Sequence, residues 1–275
     1  MSNLTKSILL WVFAVVFTLS IAVYQRMTGP TYPKRGSITI ADKEIKFKLL
    51  RSNTSSSDAI ISIDNKANIF GGSILYKRYN SSDDWTEVLM IQNGEKLEGS
   101  LPKQAAAGKL MYRVFLKYGN ENYALNIEPV VIRFKGDVPA YILIPHILFM
   151  FIAMLLSTRT GLEAVFKGKQ TYIYSLITFI SLFLGGIVLG PIVQKYAFGA
   201  YWTGWPFGHD LTDNKTLVAF IFWAIAVFRM YKDRSKTGMA IAAMIILLMI
   251  YLIPHSMFGS ELNYESGKIE TARDL

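Results

Sequence analysis

The sequence contains no cysteine among its 275 residues and only three histidines. Disulfides, thiolate ligands and a cysteine nucleophile are therefore excluded, and cysteine use gives no information on the compartment. Although the formal net charge is +9, no run of Lys and Arg is present, so nucleic acid is not an expected partner. A Gly-rich phosphate loop, a nucleophile elbow and carboxylate pairs within an apolar segment are also missing. These absences favour a protein that is not an enzyme.

Apolar residues are abundant instead: 52% of the chain is hydrophobic and the mean hydropathy is +0.30. This composition is typical of a membrane protein. About 17–25 helical residues cross a bilayer, and the third of five apolar stretches has that length outright. The second, fourth and fifth stretches reach that length only when flanking residues are included. Thr212 or Asp213 is expected to cap the fourth helix. The stretches are 8–24, 140–156, 172–193, 217–231 and 239–253.

The first stretch has two interpretations. Lys6, the apolar run and small residues at Ser20 and Ala22 are features of a signal peptide. The run is long for a signal core and no clean small-x-small cleavage site follows it, which favours a retained anchor helix.

The short loops predict the orientation of the chain, because Lys and Arg accumulate on the cytoplasmic side. Loops 158–171 and 229–236 are rich in these residues, whereas the loop 194–215 and the C-terminal tail carry compensating acids. We therefore expect the N-terminus inside, and the polar region and the C-terminus outside. The basic residues of the two loops are Arg159, Lys167, Lys169, Arg229, Lys232, Arg234 and Lys236.

Residues 37–135 have the pattern of short strands. Polar and apolar residues alternate at 45–49, 74–79 and 110–115, which indicates half-buried strands. Gly71-Gly72, Asn93-Gly94 and Gly119-Asn120 are turn signals. About seven strands in some 100 residues predict a β-sandwich.

The stretch from Ile74 to Tyr118 adds a resemblance. It contains Trp85-Thr86-Glu87-Val88, Leu101-Pro102 and Ala107-Gly108 followed by Tyr112. This order resembles immunoglobulin-like or fibronectin type III-like modules of bacterial envelope proteins, in which a Trp-centred strand, a Leu-Pro bend and an Ala-Gly-x-x-x-Tyr strand recur. The resemblance implies a sandwich fold and leaves the function open, because such sandwiches have many roles.

Two features concern the third apolar stretch and the loop after it. Gly186 and Gly190 form a Gly-x-x-x-Gly pair that favours close packing within the helix bundle, and Pro191 is expected to end or kink the helix. The following Trp-rich loop, residues 194–215, contains Tyr201, Trp202 and Trp205. These aromatic residues fit a membrane-interface belt, or a lid that contacts a partner.

The three histidines form a candidate metal site. The string Leu-Ile-Pro-His occurs twice, ending at His146 and at His255, and both copies are expected near one membrane face. His209 lies in the Trp-rich loop that emerges on that face. Three imidazoles suit Zn or Cu, and two could bind a haem iron.

Acidic residues near these histidines are candidate fourth ligands or supporting partners. They are Glu261, Asp210 and Asp213. Alternatively, Asp210 and Asp213 stabilise a helix N-terminus through its dipole. In the simpler interpretation of the histidines, His146 bonds a carbonyl while His209 and His255 are hydrated.

Together these patterns predict an α+β membrane protein of the bacterial cytoplasmic (inner) membrane. It would have an anchor helix (1–25), an extracytoplasmic antiparallel β-sandwich (26–137), a four-helix transmembrane bundle (138–256) and an outer tail (257–275). The favoured function is a non-catalytic accessory or assembly subunit that binds a membrane or periplasmic protein. The alternatives are a metal- or haem-binding membrane protein and a receptor for a small molecule or lipid headgroup.

Overall fold

The computed structural model describes residues 2–66, 68–254 and 259–271, and its fold is mixed α+β, with several long apolar helices and several sheets. A π-helical segment, Phe183–Leu189, connects α3 to α4 without a break. The helices are α1 (Asn3–Thr28), α2 (Ala140–Val165), α3 (Thr171–Leu182), α4 (Gly190–Phe198), α5 (Leu211–Lys232) and α6 (Gly238–Leu252).

Within these described ranges, four helices are long and apolar enough to cross a membrane, as in a multi-pass membrane protein. They are α1, α2, the continuous helix Thr171–Phe198 and α5. The flanks do not extend the fifth apolar stretch as expected, because α6 has only 15 residues and ends before Pro254. The expected extension by the flanks is therefore wrong, and α6 is an apolar helix shorter than the other four.

Arg159 was assigned to a loop, and this assignment is also wrong. α2 continues to Val165, and the Arg159 side chain is 2% exposed inside the helix. Its guanidinium pairs with Glu163, one turn later, at 2.6 Å. It also faces the rings of Trp11 and Tyr174 at 5.3 and 5.1 Å. This ion pair allows two charged residues to continue an otherwise apolar helix.

Small residues permit close packing of the helices at Gly186, one member of the predicted Gly-x-x-x-Gly pair, and at Gly185; a Cβ atom on Gly190, the other member, would lie 3.9 Å from His146 Cε1, its nearest neighbour on another helix. A Cβ atom on Gly185 would lie 2.9 Å from Phe149 Cβ, and one on Gly186 would lie 2.7 Å from Thr216 Cγ2. α2 and α5 thus approach the π-helical segment on two sides. Pro191 does not end the helix, because the continuous helix Thr171–Phe198 runs past it; Pro191 lies where the π-helical segment passes into α4.

The strands occupy the region predicted for them: the segments 45–49 and 110–115 lie in strands, as does 74–78, whereas residue 79 is in a turn. Gly71-Gly72 begins a strand instead of forming a turn, whereas Gly94 and Gly119 have the positive φ of turn residues. Beyond the expected seven, the strands are β1 (Lys34–Ile40), β2 (Lys43–Leu49), β3 (Ser52–Thr54), β4 (Ala59–Asp64), β5 (Gly71–Arg78), β6 (Thr86–Leu89), β7 (Ile91–Asn93), β8 (Lys96–Leu101), β9 (Lys109–Tyr118), β10 (Glu121–Ala124), β11 (Val130–Lys135), β12 (Ser260–Leu262) and β13 (Ile269–Thr271).

Strands β1–β11 surround one hydrophobic core. A six-stranded sheet has the order β3-β11-β9-β5-β6 with β10 also paired to β9, a three-stranded sheet has the order β4-β8-β7, and β1 pairs with β2. The predicted antiparallel arrangement is wrong for one pair, because β3 and β11 are parallel. Leu49, Ile61, Ile74, Leu97 and Tyr112 bring all three sheets into this core and are at most 2% exposed. Burying each aliphatic side chain contributes roughly 1.5–3 kcal/mol.

The strands connect directly to one end of the helices. The Gly136 N–H, just after β11, donates to the Ala197 carbonyl near the end of α4 at 2.9 Å. Gln25, near the end of α1, donates through Nε2 to the Tyr251 carbonyl of α6 at 2.6 Å. We call this end of the helices the strand-side end.

Candidate functional site

The Trp-rich loop is shorter than the predicted 194–215, because α4 continues to Phe198 and α5 begins at Leu211. Residues 199–210 connect the two helices at the strand-side end. Gly199 ends α4 in the left-handed conformation with φ 88°, which glycine adopts without a steric cost. Its N–H donates to the Lys195 carbonyl at 3.0 Å, and the Lys195 ammonium donates back to the Gly199 carbonyl at 2.8 Å. The loop therefore has a defined starting direction.

A buried carboxylate, Asp213, holds the middle of this loop. Its Oδ2 atom accepts hydrogen bonds from the Thr203 N–H at 2.7 Å, the Gly204 N–H at 3.0 Å and Gln194 Nε2 at 3.1 Å. Gly204 has no room for a side chain, because a Cβ atom would lie 2.6 Å from Asp213 Cβ. The side chain on the first turn of α5 thus determines the shape of the loop.

A second buried carboxylate, Asp210, caps α5 and attaches the C-terminal strand. Its Oδ1 atom accepts from the Thr212 N–H at 2.8 Å, as expected of an N-cap. Its Oδ2 atom accepts from the N–H and the hydroxyl of Ser260, both at 3.1 Å. The cap is therefore Asp210, and the prediction of Thr212 or Asp213 as the capping residue is wrong.

The Thr203 hydroxyl lies between the two carboxylates. It accepts from Gln194 Nε2 at 2.7 Å and lies 3.2 Å from Asp210 Oδ2 and 2.9 Å from the Ser260 hydroxyl. We call Gln194, Thr203, Asp210, Asp213 and Ser260 the polar knot. Since its two carboxylates are buried and extensively hydrogen-bonded, it fixes the loop to α5 and β12.

Next to the polar knot, the C-terminal hairpin β12–β13 packs against the strands. Glu261 forms an ion pair with Lys109 and accepts from Asn80 Nδ2 at 3.1 Å. The Tyr264 hydroxyl lies 2.9 Å from both the N and the O atoms of Lys109. Burial raises the pKa of Tyr264 to about 12. Burial and the neighbouring Arg133 lower the pKa of Lys109.

Arg133 completes this contact from β11. It is 8% exposed, and its guanidinium lies 5.4 Å from the ring centre of Phe198 on α4. Burial lowers the pKa of Arg133, while the charges of Asp210 and Glu261 raise it. Sequence reasoning missed Lys109, Arg133 and Tyr264, because a strand pattern does not reveal which outward side chains another segment covers.

The aromatic residues of the Trp-rich loop lie on the outside of the polar knot. Tyr201 is 60% exposed and Trp205 is 67% exposed. Trp202 is half-buried and donates its indole N–H to the Trp205 carbonyl at 3.1 Å. Phe207, which the predicted contact set omitted, is 82% exposed. Its position in the same aromatic run was the available signal. We call Tyr201, Trp205 and Phe207 the aromatic crest.

The histidines have different surroundings. His146 lies in α2 and donates from Nδ1 to the Gly185 carbonyl of the π-helical segment at 2.9 Å, which agrees with the simpler interpretation of this residue. His209 is exposed, and His255 lies outside the described residues. Within the described ranges, no three His, Asp or Glu side chains are grouped to hold a metal ion. The shared three-histidine site stays a prediction.

Comparisons of the chain with protein-family models, with curated proteins and with solved structures find no match.

Proposed function

We propose that this is an integral protein of the bacterial cytoplasmic (inner) membrane that acts as a non-catalytic accessory or assembly subunit. The helices would anchor it, with the N-terminus inside and with the strands and the C-terminus outside. The strands and the aromatic crest would bind a membrane or periplasmic protein. The single observation that carries this proposal is an exposed aromatic crest on a loop fixed by buried carboxylates.

The distribution of charge supports the orientation. Lys167 and Lys169 follow α2 at the end of the helices opposite the strands. At that same end, Lys232 is the last residue of α5 and Arg234 comes just after it. Lys and Arg in short loops favour the cytoplasmic side. The strands would therefore lie outside the cytoplasm.

The common core of the sheets supports a β-sandwich of the immunoglobulin-like kind. Ile74 and Tyr112 of the six-stranded sheet share a buried cluster with Ile61 and Leu97 of the three-stranded sheet. Two sheets that face each other across one core are the defining feature of this architecture. Such a domain would serve as a rigid binding module above the membrane.

The aromatic crest supports a partner-binding role because it combines exposure with order. Trp and Tyr dominate the binding energy of many interfaces, and a preformed surface loses little entropy on binding. The Trp205 N–H is bonded to Asn214 Oδ1 at 2.6 Å, so the loop is held close to Trp205. A fixed crest of this kind is suited to fill a pocket in another protein.

Site-specific photo-crosslinking in living cells tests this proposal. A photoreactive residue is placed at Trp205 or Phe207, and the adducts are identified by mass spectrometry. We expect both positions to give the same protein adduct. Tyr141, which is 76% exposed at the start of α2, is the matched control position and is expected not to give that adduct.

A second arm measures the binding energy. Trp205→Ala with Phe207→Ala is expected to abolish recovery of the crosslinked protein during purification in mild detergent, and Tyr141→Ala is expected to preserve it. Adducts with lipid alone at the crest positions would indicate a membrane-interface belt and would contradict the proposal.

A second candidate function, metal binding, is favoured by the hydrogen bond of His146. A carbonyl can only accept, so Nδ1 of His146 carries the proton and Nε2 of the neutral ring keeps its lone pair. Metal-bound histidines commonly donate the other ring nitrogen to a carbonyl in this way. Elemental analysis and an absorption spectrum of purified wild type, beside His146→Ala with His255→Ala, test it. Metal or haem lost in the variant would favour this function, and metal-free wild type would contradict it.

A further inference from the structure

The strands present unpaired edges on both sides of β4 and β8. The hairpin β1–β2 lies beside β4 without pairing to it, and the three-stranded sheet ends at β7 on its other side. Among the described strands, β1 pairs only with β2, β7 only with β8 and β6 only with β5. β6 and β7 are joined through Met90 alone, so their edges lie together.

The two edges carry opposite charge. The basic edge, residues 34–49, has five basic and two acidic side chains, and the acidic edge, residues 83–98, has five acidic side chains and one lysine. On the basic edge they are Lys34, Arg35, Lys43, Lys46 and Lys48 with Asp42 and Glu44; on the acidic edge they are Asp83, Asp84, Glu87, Glu95 and Glu98 with Lys96.

The register concentrates the charge on accessible faces. Arg35 lies directly opposite Lys48, and Ser37 opposite Lys46, on the exposed face of the basic edge. On the acidic edge, Asp83 pairs with Arg78 and Glu95 with Lys66. Asp84 and Glu87 are exposed and form no ion pair among the described residues, so these two carry the negative charge that is available to a partner. Each edge would repel a copy of itself, because like charges across paired strands are unfavourable, and would attract the other edge.

The acidic edge also has an apolar centre. Leu89 is 72% exposed and Ile91 is 74% exposed, on either side of the buried Met90. Exposed aliphatic residues on an unpaired edge form a template for strand addition, and proteins usually protect such edges. Here a covering strand with basic neighbours would match both the apolar centre and the acidic surround.

We infer that the acidic edge binds the basic edge of a second copy of this chain, so that copies associate side by side. The charge complementarity of the two edges within one chain selects this occupant. The contact is heterologous, and repetition of it would build a row or a ring. The membrane anchoring proposed above would hold all copies at one height, with their edges facing one another; the aromatic crest takes no part.

The absence of cysteine from the chain permits a direct test. Thr86→Cys on β6 and Ser37→Cys on β1 place single thiols at exposed positions of the two edges without changing a charge. Full-length chains with different tags are co-expressed, and native membranes are treated with a thiol-to-thiol crosslinker. We expect dimers that contain one chain of each kind, and only background crosslinking when both tagged chains carry the same substitution.

Charge reversal provides the second readout. Asp84→Lys with Glu87→Lys on the Thr86→Cys chain is expected to reduce the mixed dimer about tenfold or more, because like charges then meet. Lys46→Glu with Lys48→Glu on the Ser37→Cys chain is expected to restore it. Such restoration requires that both variants fold. Lys117→Glu with Lys135→Glu, exposed cations outside the basic edge, is the matched control and is expected to restore nothing.

Three results would overturn the inference. They are preferential crosslinking between two Thr86→Cys chains, background crosslinking for the mixed pair, and a mixed dimer insensitive to charge reversal. Since Trp205→Ala with Phe207→Ala leaves both edges unchanged, that variant is expected to keep the mixed dimer while losing the crest partner. Failure of either proposal can therefore be recognised separately.

Discussion

The Asp213 carboxylate accepts a hydrogen bond from the Thr203 backbone N–H at 2.7 Å, so the first turn of α5 holds the middle of the Trp-rich loop. The same oxygen accepts from the Gly204 N–H at 3.0 Å. Two consecutive backbone donors therefore depend on one side chain. Removing the Asp213 carboxylate tests whether this side chain holds the loop that carries the aromatic crest.

Asp213→Ala is expected to loosen the Trp-rich loop and to lower the free energy of unfolding. Buried N–H groups that lose their acceptor cost about 1–3 kcal/mol. Limited trypsin digestion measures the local effect, because Lys195 is exposed in the last turn of α4, just before the loop, and cleavage there requires local unfolding. We expect faster cleavage after Lys195 in the variant.

Asp233→Ala is the matched control, because it removes the same side chain at the other end of α5. The Asp233 carboxylate accepts only local hydrogen bonds, from the Ser235 N–H at 3.0 Å and the Ser235 hydroxyl at 2.7 Å. Cleavage after Lys195 should be unchanged in this control. Equal protection of wild type and Asp213→Ala would show that the carboxylate does not hold the loop.

Gly136→Ala is expected to weaken the connection between strands and helices. An added Cβ atom would collide with the Tyr196 carbonyl oxygen, so the chain must shift where Gly136 bonds Ala197. Overpacking of this kind costs about 1–3 kcal/mol, measured as a lower thermal unfolding temperature in detergent. Gly238→Ala is the control, since nothing lies within 4 Å of its added Cβ. An unchanged unfolding temperature for Gly136→Ala would contradict this view of the connection.

Local periodicity explains which parts of the fold the sequence predicted. β9 was foreseen because Leu110, Tyr112 and Val114 alternate with half-buried residues, and this period of two depends only on neighbours. The lengths of the helices were harder to predict from the sequence. Arg159 looked like a loop residue, because its compensation by Glu163, Trp11 and Tyr174 arises only after packing.

The candidate site was predictable only in part, for a similar reason. The acids of the Trp-rich loop were selected by their type, but Asp210 meets Ser260, 50 residues away along the chain. Spacing cannot reveal such a contact. The repeated Leu-Ile-Pro-His string was conspicuous in sequence, yet His146 bonds Gly185 on a different helix.

Glu163→Gln is expected to destabilise the helical part of the protein by about 3–5 kcal/mol. The substitution leaves the Arg159 guanidinium without its ion pair, and that side chain is only 2% exposed. Replacing both residues, as Arg159→Met with Glu163→Met, is expected to cost less than the single change, because no charge then stays buried. Titration of the purified protein with a denaturing detergent gives the free energy of unfolding of both variants.

An exposed ion pair provides the control for that comparison. Lys236 and Asp233 lie 3.8 Å apart with side chains 57% and 45% exposed, and exposed pairs contribute about 0–1 kcal/mol. Lys236→Gln should therefore leave the unfolding midpoint nearly unchanged. A double replacement that costs as much as Glu163→Gln alone would mean that packing, not charge, determines the effect.

The Tyr264 hydroxyl should make the protein lose stability in alkaline solution. Burial raises its pKa from 10.0 to about 12 in the folded chain, so the unfolded chain releases this proton first. Between these two values, folding binds a proton, and the free energy of unfolding falls as the pH rises. Lys109 acts in the opposite direction, because burial lowers its pKa in the folded chain and its contribution to stability improves as the pH approaches 10.5.

Tyr264→Phe isolates the tyrosine contribution from that of Lys109. The variant is expected to be less stable than wild type at neutral pH, because it loses the hydroxyl contacts with Lys109. Its stability should nevertheless fall less steeply between pH 10 and 12, the interval given by the two pKa values of Tyr264. Parallel stability curves for wild type and Tyr264→Phe would show that the hydroxyl is not buried when the chain is folded.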